Sequence, residues 1–307
     1  MTPLANSPTH TPYDGTSKPF TIGLKQLDPQ DWIEVDETYP AQIAEKERLY
    51  ASIPDRVFVE EEGTRAAQQE VLDLLRRHLT ANAKRLFGDG VQREVFEENL
   101  RRADRANGTV APLRLASTLV QEDLILMRRG DDGWRLTAGA LCFPSSWSLA
   151  EKFGRPLSEI HAPVPSFSAG TRNAELIERM FDKLAQPVLR YNWSIQSGDA
   201  LYRPLSNAGR VERATQRPSK FPDGDIDVHA FIRVERQTLC KLPGSRDILF
   251  TIRIHLDPLR VLAGHPDRAT LAASFAEQLA TLDQAQLDYK GLTADRDRLV
   301  ARLNAMC

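Results

Sequence analysis

Apolar residues recur with helical spacing in the first third of the chain. Val71, Leu72, Leu75 and Leu79 follow one another at short helical intervals, while most of the positions between them hold charged or polar residues, namely Asp73, Arg76, Arg77 and His78. This spacing places the apolar side chains on one face of a helix. Patterns of this kind predict three helices, over 40–51, 64–87 and 91–105.

Beyond residue 118 the apolar period changes to two, which is typical of strands. Five strands are predicted, over 119–128, 134–143, 188–196, 228–239 and 247–256. The first two flank the turn sequence Arg129-Gly130-Asp131-Asp132-Gly133 and therefore form a β-hairpin.

A short helix is predicted over 173–185, and two more close the chain near 266–285 and 293–305. No strand–helix–strand repeat is present that could build a parallel sheet, so the fold class is α+β. We expect a five-stranded antiparallel sheet with N-terminal and C-terminal helices packed around it. The segment 203–225 is dense in Arg, Pro, Ser and Gly and is predicted to be a long exposed loop or flap.

The length of 307 residues allows one large domain or two ordinary ones, at roughly 150 residues each. Residues 1–18 are rich in Pro, Thr and Ser and are predicted to form a flexible arm, mobile or draped on the surface. We expect a single domain over 19–307, with a helical part at 40–105, a sheet core at 115–260 and C-terminal helices at 266–305.

With 41% hydrophobic and 27% charged residues, the composition is that of a globular protein. The 40 basic and 42 acidic residues nearly cancel, so no overall field attracts nucleic acid or an anionic membrane. No apolar run approaches the roughly 20 residues that cross a bilayer, and no signal-peptide pattern opens the chain, which predicts a cytoplasmic protein. Three widely separated cysteines are expected to be reduced thiols, Cys142, Cys240 and Cys307.

His161 is followed by Pro163 and Pro165, which stiffen the backbone just after the imidazole. A rigid backbone suits a metal ligand, because less entropy is lost when the ring is held in place. A histidine that bonds only to loop carbonyls fits the same sequence. The residues alone leave both interpretations open.

Arg236 continues the inward register of Ala230, Ile232 and Val234. A buried guanidinium needs an anion, either a carboxylate of the chain or an acidic group of a ligand. For Arg236 the candidate carboxylates within the chain are Glu122, Asp123 and Glu235. The same argument applies to other strand arginines, Arg190, Arg233 and Arg253.

Glu122 and Asp123 are adjacent in a predicted strand, so their side chains point to opposite faces. One of them is expected to face inward, where it could pair with Arg236 or bind a cationic substrate. Aromatic rings on strands and loops either form core or offer surfaces to an ammonium group, and these are Trp147, Tyr191 and Trp193.

Ordered sequence blocks lie along the chain from about residue 20 to 305. They include Gln121-Glu122-Asp123-Leu124, Cys142-Phe143-Pro144-Ser145-Ser146-Trp147, Lys152-Phe153-Gly154, Ile160-His161-Ala162-Pro163-Val164-Pro165, Arg190-Tyr191-Asn192-Trp193, Arg233-Val234-Glu235-Arg236, Phe250-Thr251-Ile252-Arg253 and Tyr289-Lys290-Gly291-Leu292. In these blocks the chain resembles the heme-dependent oxidative N-demethylase family, alpha-subunit type.

The resemblance implies a heme b protein with a PAS-like five-stranded sheet. It also implies O₂-dependent removal of a methyl group from a small secondary amine such as dimethylamine, with release of formaldehyde. Electrons are expected from NADPH through an external reductase whose subunits contain FMN and a 2Fe-2S cluster, and tetrahydrofolate is a candidate formaldehyde acceptor. No nucleic acid or membrane partner is expected.

Carried onto this sequence, the resemblance makes His161 the axial iron ligand. Arg233, Arg236 and Arg253 would neutralise the heme propionates, and Trp147 would contact the cofactor. The distal, catalytic pocket would include Glu122, Asp123, Tyr191 and Trp193. His229 and His255 flank the motif blocks and are second-choice ligands.

A distal carboxylate would bind a protonated amine and then accept its proton. Two alternatives to the enzyme remain at this point. One is a heme-binding PAS-type sensor or gas-binding protein without turnover, and the other is a scaffold that keeps the fold without heme.

Overall fold

The computed structural model describes residues 7–106, 108–222, 224 and 226–307. The helices of the N-terminal third are α1 (Tyr39–Ser52), α2 (Pro54–Val57), α3 (Arg65–Ala81), α4 (Ala83–Phe87), α5 (Val91–Arg105) and α6 (Pro112–Ser117). The central helices are α7 (Leu149–Lys152), α8 (Leu157–His161), α9 (Arg172–Asp182), α10 (Asn207–Gln216) and α11 (Ile226–His229). The C-terminal helices are α12 (Arg268–Ala280), α13 (Gln284–Lys290) and α14 (Arg296–Asn304).

The strands form one antiparallel sheet in the described part of the chain. They are β1 (Lys25–Gln26), β2 (Phe58–Glu60), β3 (Asp123–Gly130), β4 (Gly133–Ala140), β5 (Val188–Ser197), β6 (Ala230–Lys241) and β7 (Ile248–Pro258). Their order across the sheet is β1-β5-β6-β7-β3-β4-β2. The predicted α+β class and the β3–β4 hairpin are confirmed.

The sheet has seven strands, so the predicted count of five is wrong. All five predicted strands exist, and the two additional ones, β1 and β2, are short edge strands of two and three residues. Such short segments bury no alternating face of their own, which explains why the sequence pattern did not indicate them.

The predicted helices of the first third are present with one interruption. α3 follows the apolar stripe of Val71, Leu72, Leu75 and Leu79, all of which are buried. Asn82 then leaves the helical conformation, so the predicted helix over 64–87 is split into α3 and α4. Asparagine favours such breaks because its side chain competes for backbone hydrogen bonds; here it donates to the His78 carbonyl oxygen at 2.9 Å.

Strand alternation gives the sheet two faces with different contents. The first face of the sheet, as we name it, carries the side chains of Trp193, Val234, Arg236, Arg253 and His255. The second face carries the side chains of Arg190, Arg233, Glu235, Ile252 and Ile254. Cross-strand pairs fix this assignment: Tyr191 pairs with Arg236, and Arg236 pairs with Arg253.

Different helices cover the two faces. The N-terminal helices pack on the first face around Leu124, Leu126 and Leu249, and the C-terminal helices pack on the same face around Trp193 and Val234. The second face carries a third apolar cluster, which includes Ile252, Ile254 and residues of α7, α8 and α9.

The segment predicted as an exposed loop or flap, 203–225, contains α10. Ser206 caps this helix by accepting a hydrogen bond from the Gly209 backbone N–H at 3.0 Å. Of the same segment, Asp223 and Asp225 lie outside the described residues. The loop prediction is therefore wrong for Asn207–Gln216, because composition outweighed the capping signal.

Part of the predicted N-terminal arm packs on the sheet and its C-terminal helices. Tyr13 is fully buried and stacks on Phe275 with a centroid separation of 4.2 Å. Residues 1–6 lie outside the described residues, and the predicted domain boundaries stay a prediction. All three cysteines are free thiols. No helix of the described residues has the length and apolar character needed to cross a bilayer.

Candidate functional site

His161 ends α8 and lies above the second face. Its Nδ1 bonds to the carbonyl oxygen of Leu157, one helical turn earlier, at 3.0 Å. A carbonyl only accepts, so Nδ1 holds the ring proton and Nε2 keeps its lone pair. Nε2 has no hydrogen-bond partner among the described residues. The Nε2 lone pair of His161 is thus available to a metal ion, and the hydrogen bond at Nδ1 already orients the ring.

The surroundings of His161 keep its imidazole neutral. Burial, followed by the charges of Arg190 and Lys152, lowers its pKa to about 4 despite the hydrogen bond to Leu157. At neutral pH the ring is therefore unprotonated at Nε2, which is the state that binds a metal.

A cleft of about 840 Å³ is lined by the residues that directly follow His161, from Ala162 to Ser166. It lies between the segment 151–168, α10 and α13, and its lining includes Lys152, Pro163, Arg210 and Tyr289. This volume falls within the range of roughly 300 to 1,000 Å³ that is usual for small-molecule and cofactor sites.

The lining of this cleft includes the cations Lys152 and Arg210 and the carboxylates Glu151, Glu159 and Asp288. Lys152 and Arg210 belong to a larger group of cations that interact with one another. We call them the cation cluster: Lys152, Arg190, Arg203, Arg210, Arg213, Lys220 and Lys290. Within the described ranges none of them forms an ion pair. Their hydrogen bonds go mainly to carbonyls; Lys290 Nζ, for example, donates to Trp193 O at 2.5 Å and Arg203 to Ser197 O at 2.8 Å.

Burial affects the lysines of the cluster most. Burial lowers the pKa of Lys220 to about 7, with the charges of Arg213, Arg203 and Lys290 adding to the effect. Burial likewise lowers the pKa of Lys152 and Lys290 to about 8. Buried charges of one sign are costly unless a counter-ion joins them. The cluster therefore has the electrostatics of an anion site.

Local backbone geometry brings the arginines of α10 into the cluster. Arg210 and Arg213 are three residues apart and share one face of the helix. Arg210 donates to the carbonyl of Ser146 at 2.6 Å, and Arg213 donates to that of Tyr289 at 2.7 Å. Ser146 has a left-handed φ of 62°, an uncommon conformation for serine.

Gly291 makes the Arg213 contact sterically feasible. Its φ is +62°, and a Cβ at this position would lie 2.8 Å from Arg213 Nε. A side chain here would push the guanidinium away from the end of α13 and from Tyr289. Position 291 therefore requires glycine for two reasons, its positive φ and the lack of space for a Cβ.

Glu235 is a carboxylate on the second face close to the cluster. It accepts hydrogen bonds from Gln237 at 2.9 Å and Asn192 at 3.3 Å, and Arg233 lies at 3.6 Å. Its charge also acts on Arg190 and Lys290. Glu235 thus offers a negative group at the edge of an otherwise cationic region.

Arg233 and Trp147 lie on the same side of the sheet as His161. Arg233 is fully buried and donates to the Phe143 carbonyl at 2.6 Å. Trp147 packs against the apolar cluster that includes Ile160 and Val164, on either side of His161. These two predicted cofactor residues are therefore on the cleft side.

Arg236 and Arg253 lie on the first face, opposite His161. Arg236 Nε is 2.8 Å from Glu34, and Arg253 Nη2 is 2.5 Å from Asp36. The partner of Arg236 is thus Glu34, and the predicted candidates Glu122, Asp123 and Glu235 are not its partners. Glu34 was missed because it precedes Arg236 by about two hundred residues in sequence.

The acidic partners on the first face are held ionised. Burial by itself would raise the pKa of Glu34, but hydrogen bonds with His10 and His255 and the charge of Arg236 lower it well below its ordinary value. The pKa of Asp36 is also lowered against the effect of burial, mainly by Arg253 and by hydrogen bonds from Thr38 and Gln121.

Glu122 and Asp123 are fully buried at the start of β3, and both accept hydrogen bonds from backbone N–H groups. Glu122 accepts from the Glu34 N–H at 3.2 Å. Asp123 accepts from the N–H groups of Cys142 and Phe143, each at 2.8 Å, and lies 3.9 Å from Lys46. Burial raises the pKa of both carboxyls. The structure does not bring either side chain together with His161.

Tyr191 and Trp193 point to the first face. The Trp193 Nε1–H donates to Gln278 at 3.1 Å, and its ring meets Phe275 edge-on at 4.9 Å. The Tyr191 ring lies 4.9 Å from that of His10. Both rings are thus on the opposite side of the sheet from the imidazole of His161.

The sequence-based expectations did not single out most members of the cation cluster. Arg210, Arg213 and Lys220 were assigned to a flap, and Lys152 and Lys290 appeared only within motif blocks. The available signal was Ser206 before an uninterrupted run without proline, which predicts a helix with Arg210 and Arg213 on one side.

The described residues combine a neutral histidine at the end of α8 with a group of cations that form no ion pair. Residues 23–300 match the family described as "Haem-dependent oxidative N-demethylase, alpha subunit-like". Because the match covers nearly the whole chain, the protein belongs to this family. The family is named for a heme-dependent oxidoreductase activity and for one subunit of a larger assembly.

Proposed function

We propose that this chain binds heme b in the cleft beside His161 and removes a methyl group from a small secondary amine. The observation that supports the proposal most is the cation cluster, which forms no ion pair among the described residues and of which Arg190 and Lys152 lie near the neutral His161. Heme b has two propionate groups and an iron that accepts imidazole, so its chemistry fits both features.

His161 would supply the axial ligand through Nε2. The Leu157 carbonyl fixes the tautomer and the orientation of the ring, which is how proteins usually position a metal-binding histidine. Pro163 and Pro165 limit the backbone freedom of the residues that follow.

The propionates would bind to members of the cation cluster that line or approach the cleft, Lys152, Arg190, Arg210 and Arg213. This assignment replaces Arg236 and Arg253, whose guanidinium groups already have carboxylates on the other face. Arg233 remains near the cleft, with part of its charge offset by Glu235.

Glu235 is our candidate for the group that meets the amine. A secondary amine is protonated in neutral water, and its oxidation requires the unprotonated nitrogen. A carboxylate that binds the ammonium form and accepts its proton would do both.

When bound, the heme iron would supply the oxidation by O₂. For dimethylamine, one oxygen atom ends in formaldehyde and the other in water, while two electrons and two protons are consumed and methylamine is the second product. The electrons would come from NADPH through reductase subunits with FMN and a 2Fe-2S cluster. Tetrahydrofolate would accept the formaldehyde.

The first test is a hemin titration of the purified chain followed by visible absorption. We expect one hemin per chain with a spectrum of imidazole-ligated iron, and His161→Ala is expected to weaken binding by at least about tenfold or to change the ferric spectrum. His265→Ala, in the turn before α12, is the matched control and should bind as the wild type does. A chain that leaves hemin free would overturn the proposal.

The second test is oxygen uptake by the heme-loaded chain with dimethylamine and a chemical or enzymatic reductant, with formaldehyde measured as product. Uptake that depends on the amine supports N-demethylation. Heme binding without amine-dependent uptake would instead support the sensor or gas-binding alternative.

A further inference from the structure

Two histidines and a carboxylate meet on the first face, away from the cleft. Nε2 of His10 lies 2.9 Å from Glu34 Oε2, and Nε2 of His255 lies 3.1 Å from the same oxygen. All three atoms lie within 4.8 Å of one another. The proposed heme function uses none of these groups.

This geometry is that of three ligands around a small cation. Each residue offers one donor atom close to the other two, and two imidazoles with one carboxylate form a ligand set used by zinc sites. The ring planes of His10 and His255 are nearly perpendicular, at 79°. The two rings are therefore not stacked, and both nitrogens can point at one ion.

Neighbouring groups orient the carboxylate as in known metal sites. Arg236 Nε lies 2.8 Å from Glu34 Oε1, so it occupies the oxygen that the histidines do not use. Carboxylate ligands are typically held in this way by a second contact, which leaves the other oxygen for the metal.

A second carboxylate next to the trio lacks a full set of partners. Asp257 is only 7% exposed, and its Oδ2 has no hydrogen-bond partner among the described residues. It follows His255 by two residues, so it lies on the same face of β7. The nearby Tyr13 hydroxyl is likewise buried without a partner. Glu34 already has Arg236 as a partner, whereas Asp257 forms no ion pair among the described residues, and a cation at the trio would offset its charge.

We propose that His10, Glu34 and His255 bind a Zn²⁺ ion that ties the N-terminal segment to β7. Water or Asp257 would complete a tetrahedral site. The side chains of His10 and Glu34 are 21% and 28% exposed, so the ion has a path from solvent. Mg²⁺ and Ca²⁺ fit poorly, because they prefer oxygen ligands. The proposal does not rest on the heme function.

The test is metal analysis of the full, tag-free chain after loading with ZnCl₂ and gel filtration. We expect about one Zn²⁺ per chain, and His10→Ala should lower the Zn²⁺ affinity by at least about 100-fold. His10 lies at the surface end of the trio, so this variant is expected to fold. His229→Ala, at the end of α11 outside the trio, is the matched control and should bind zinc normally.

Amide hydrogen exchange is a second test of zinc binding at the same site. Zn²⁺ should slow amide exchange in residues 8–16 of the wild type, while MgCl₂ should have no effect. His161→Ala should keep its zinc stoichiometry, which separates this site from the heme site. No retained zinc in the wild type, or retention that His10→Ala does not change, would overturn the proposal.

Discussion

The two faces of the sheet bury arginines in opposite electrostatic settings. On the first face Arg236 and Arg253 each have a carboxylate within 2.8 Å, contributed by the segment before α1. On the side of the second face, Arg190, Arg210 and Arg213 have no carboxylate partner among the described residues. Both groups of guanidiniums are buried or half-buried, yet only the first is neutralised within the chain.

Burial of a charge therefore does not by itself indicate a ligand. The informative quantity is the balance between buried cations and anions in one region. On the first face Arg236 and Arg253 each have a carboxylate of their own, which is typical of an internal ion-pair network. In the cation cluster no member forms an ion pair with a carboxylate of the described residues, which favours a site for an anionic ligand.

The largest expected effect is the loss of a paired arginine. Arg236→Ala should lower the free energy of unfolding by about 3 kcal/mol or more, because it leaves Glu34 without its cation in a buried setting and opens space. Urea-induced unfolding followed by circular dichroism measures this. A change below about 1 kcal/mol would mean that the pair is not a stabilising element.

An unpaired arginine should behave differently. Arg190 donates a single hydrogen bond, to Thr21 O at 3.2 Å, and forms no ion pair in the described chain. Arg190→Met should change the free energy of unfolding of the ligand-free chain by no more than about 1 kcal/mol, and its hemin affinity should fall about tenfold.

Paired urea and hemin titrations of Arg190→Met and Arg236→Met separate the two cases. The first variant should mainly lose affinity, and the second should mainly lose stability. Equal losses of stability in both variants would remove the contrast between the faces.

The lysines of the cluster predict a pH dependence of the second face. Their pKa values are about 7 for Lys220 and about 8 for Lys152 and Lys290 in the folded chain, against about 10.4 when unfolded. Between these values the unfolded chain binds more protons than the folded one. Stability of the ligand-free chain should therefore rise with pH from about 7 to about 10.

Hemin should reverse this trend, because propionates favour charged lysines. Hemin affinity is expected to fall as pH rises over the same range, and binding should take up protons. Urea unfolding and hemin titration of the wild type and Lys220→Met at several pH values measure both slopes. A variant with unchanged slopes would show that Lys220 is not the titrating group.

The smallest expected loss in free energy of unfolding is that of an exposed ion pair. Arg93 and Glu97 are one turn apart on α5, 2.6 Å from each other, with side chains 34% and 49% exposed. Arg93→Ala should cost no more than about 0.5 kcal/mol, since water screens the pair. The same urea experiment provides this baseline, and a larger loss would show that α5 depends on the pair.

The long helices and the five long strands could be predicted because their apolar period is regular. β1 and β2 could not be predicted because they are too short to show a period. α10 was not predicted because its polar composition is typical of a loop. The partner of Arg236 could not be deduced, since Glu34 and Arg236 meet only through the tertiary fold. Placing His161 above the second face likewise needed the strand register, because a shift by one residue exchanges the two faces.

The lysines Lys220 and Lys290 also affect the outer edge of the sheet. β1 covers only the beginning of β5, at Val188 and Leu189. Lys290 and Lys220 donate to the carbonyls of Trp193 and Ile195 further along that edge. Ammonium groups in these positions occupy the carbonyl acceptors that a strand from another molecule would need. The lysines of the cation cluster therefore also protect the edge of β5 against pairing with a second molecule.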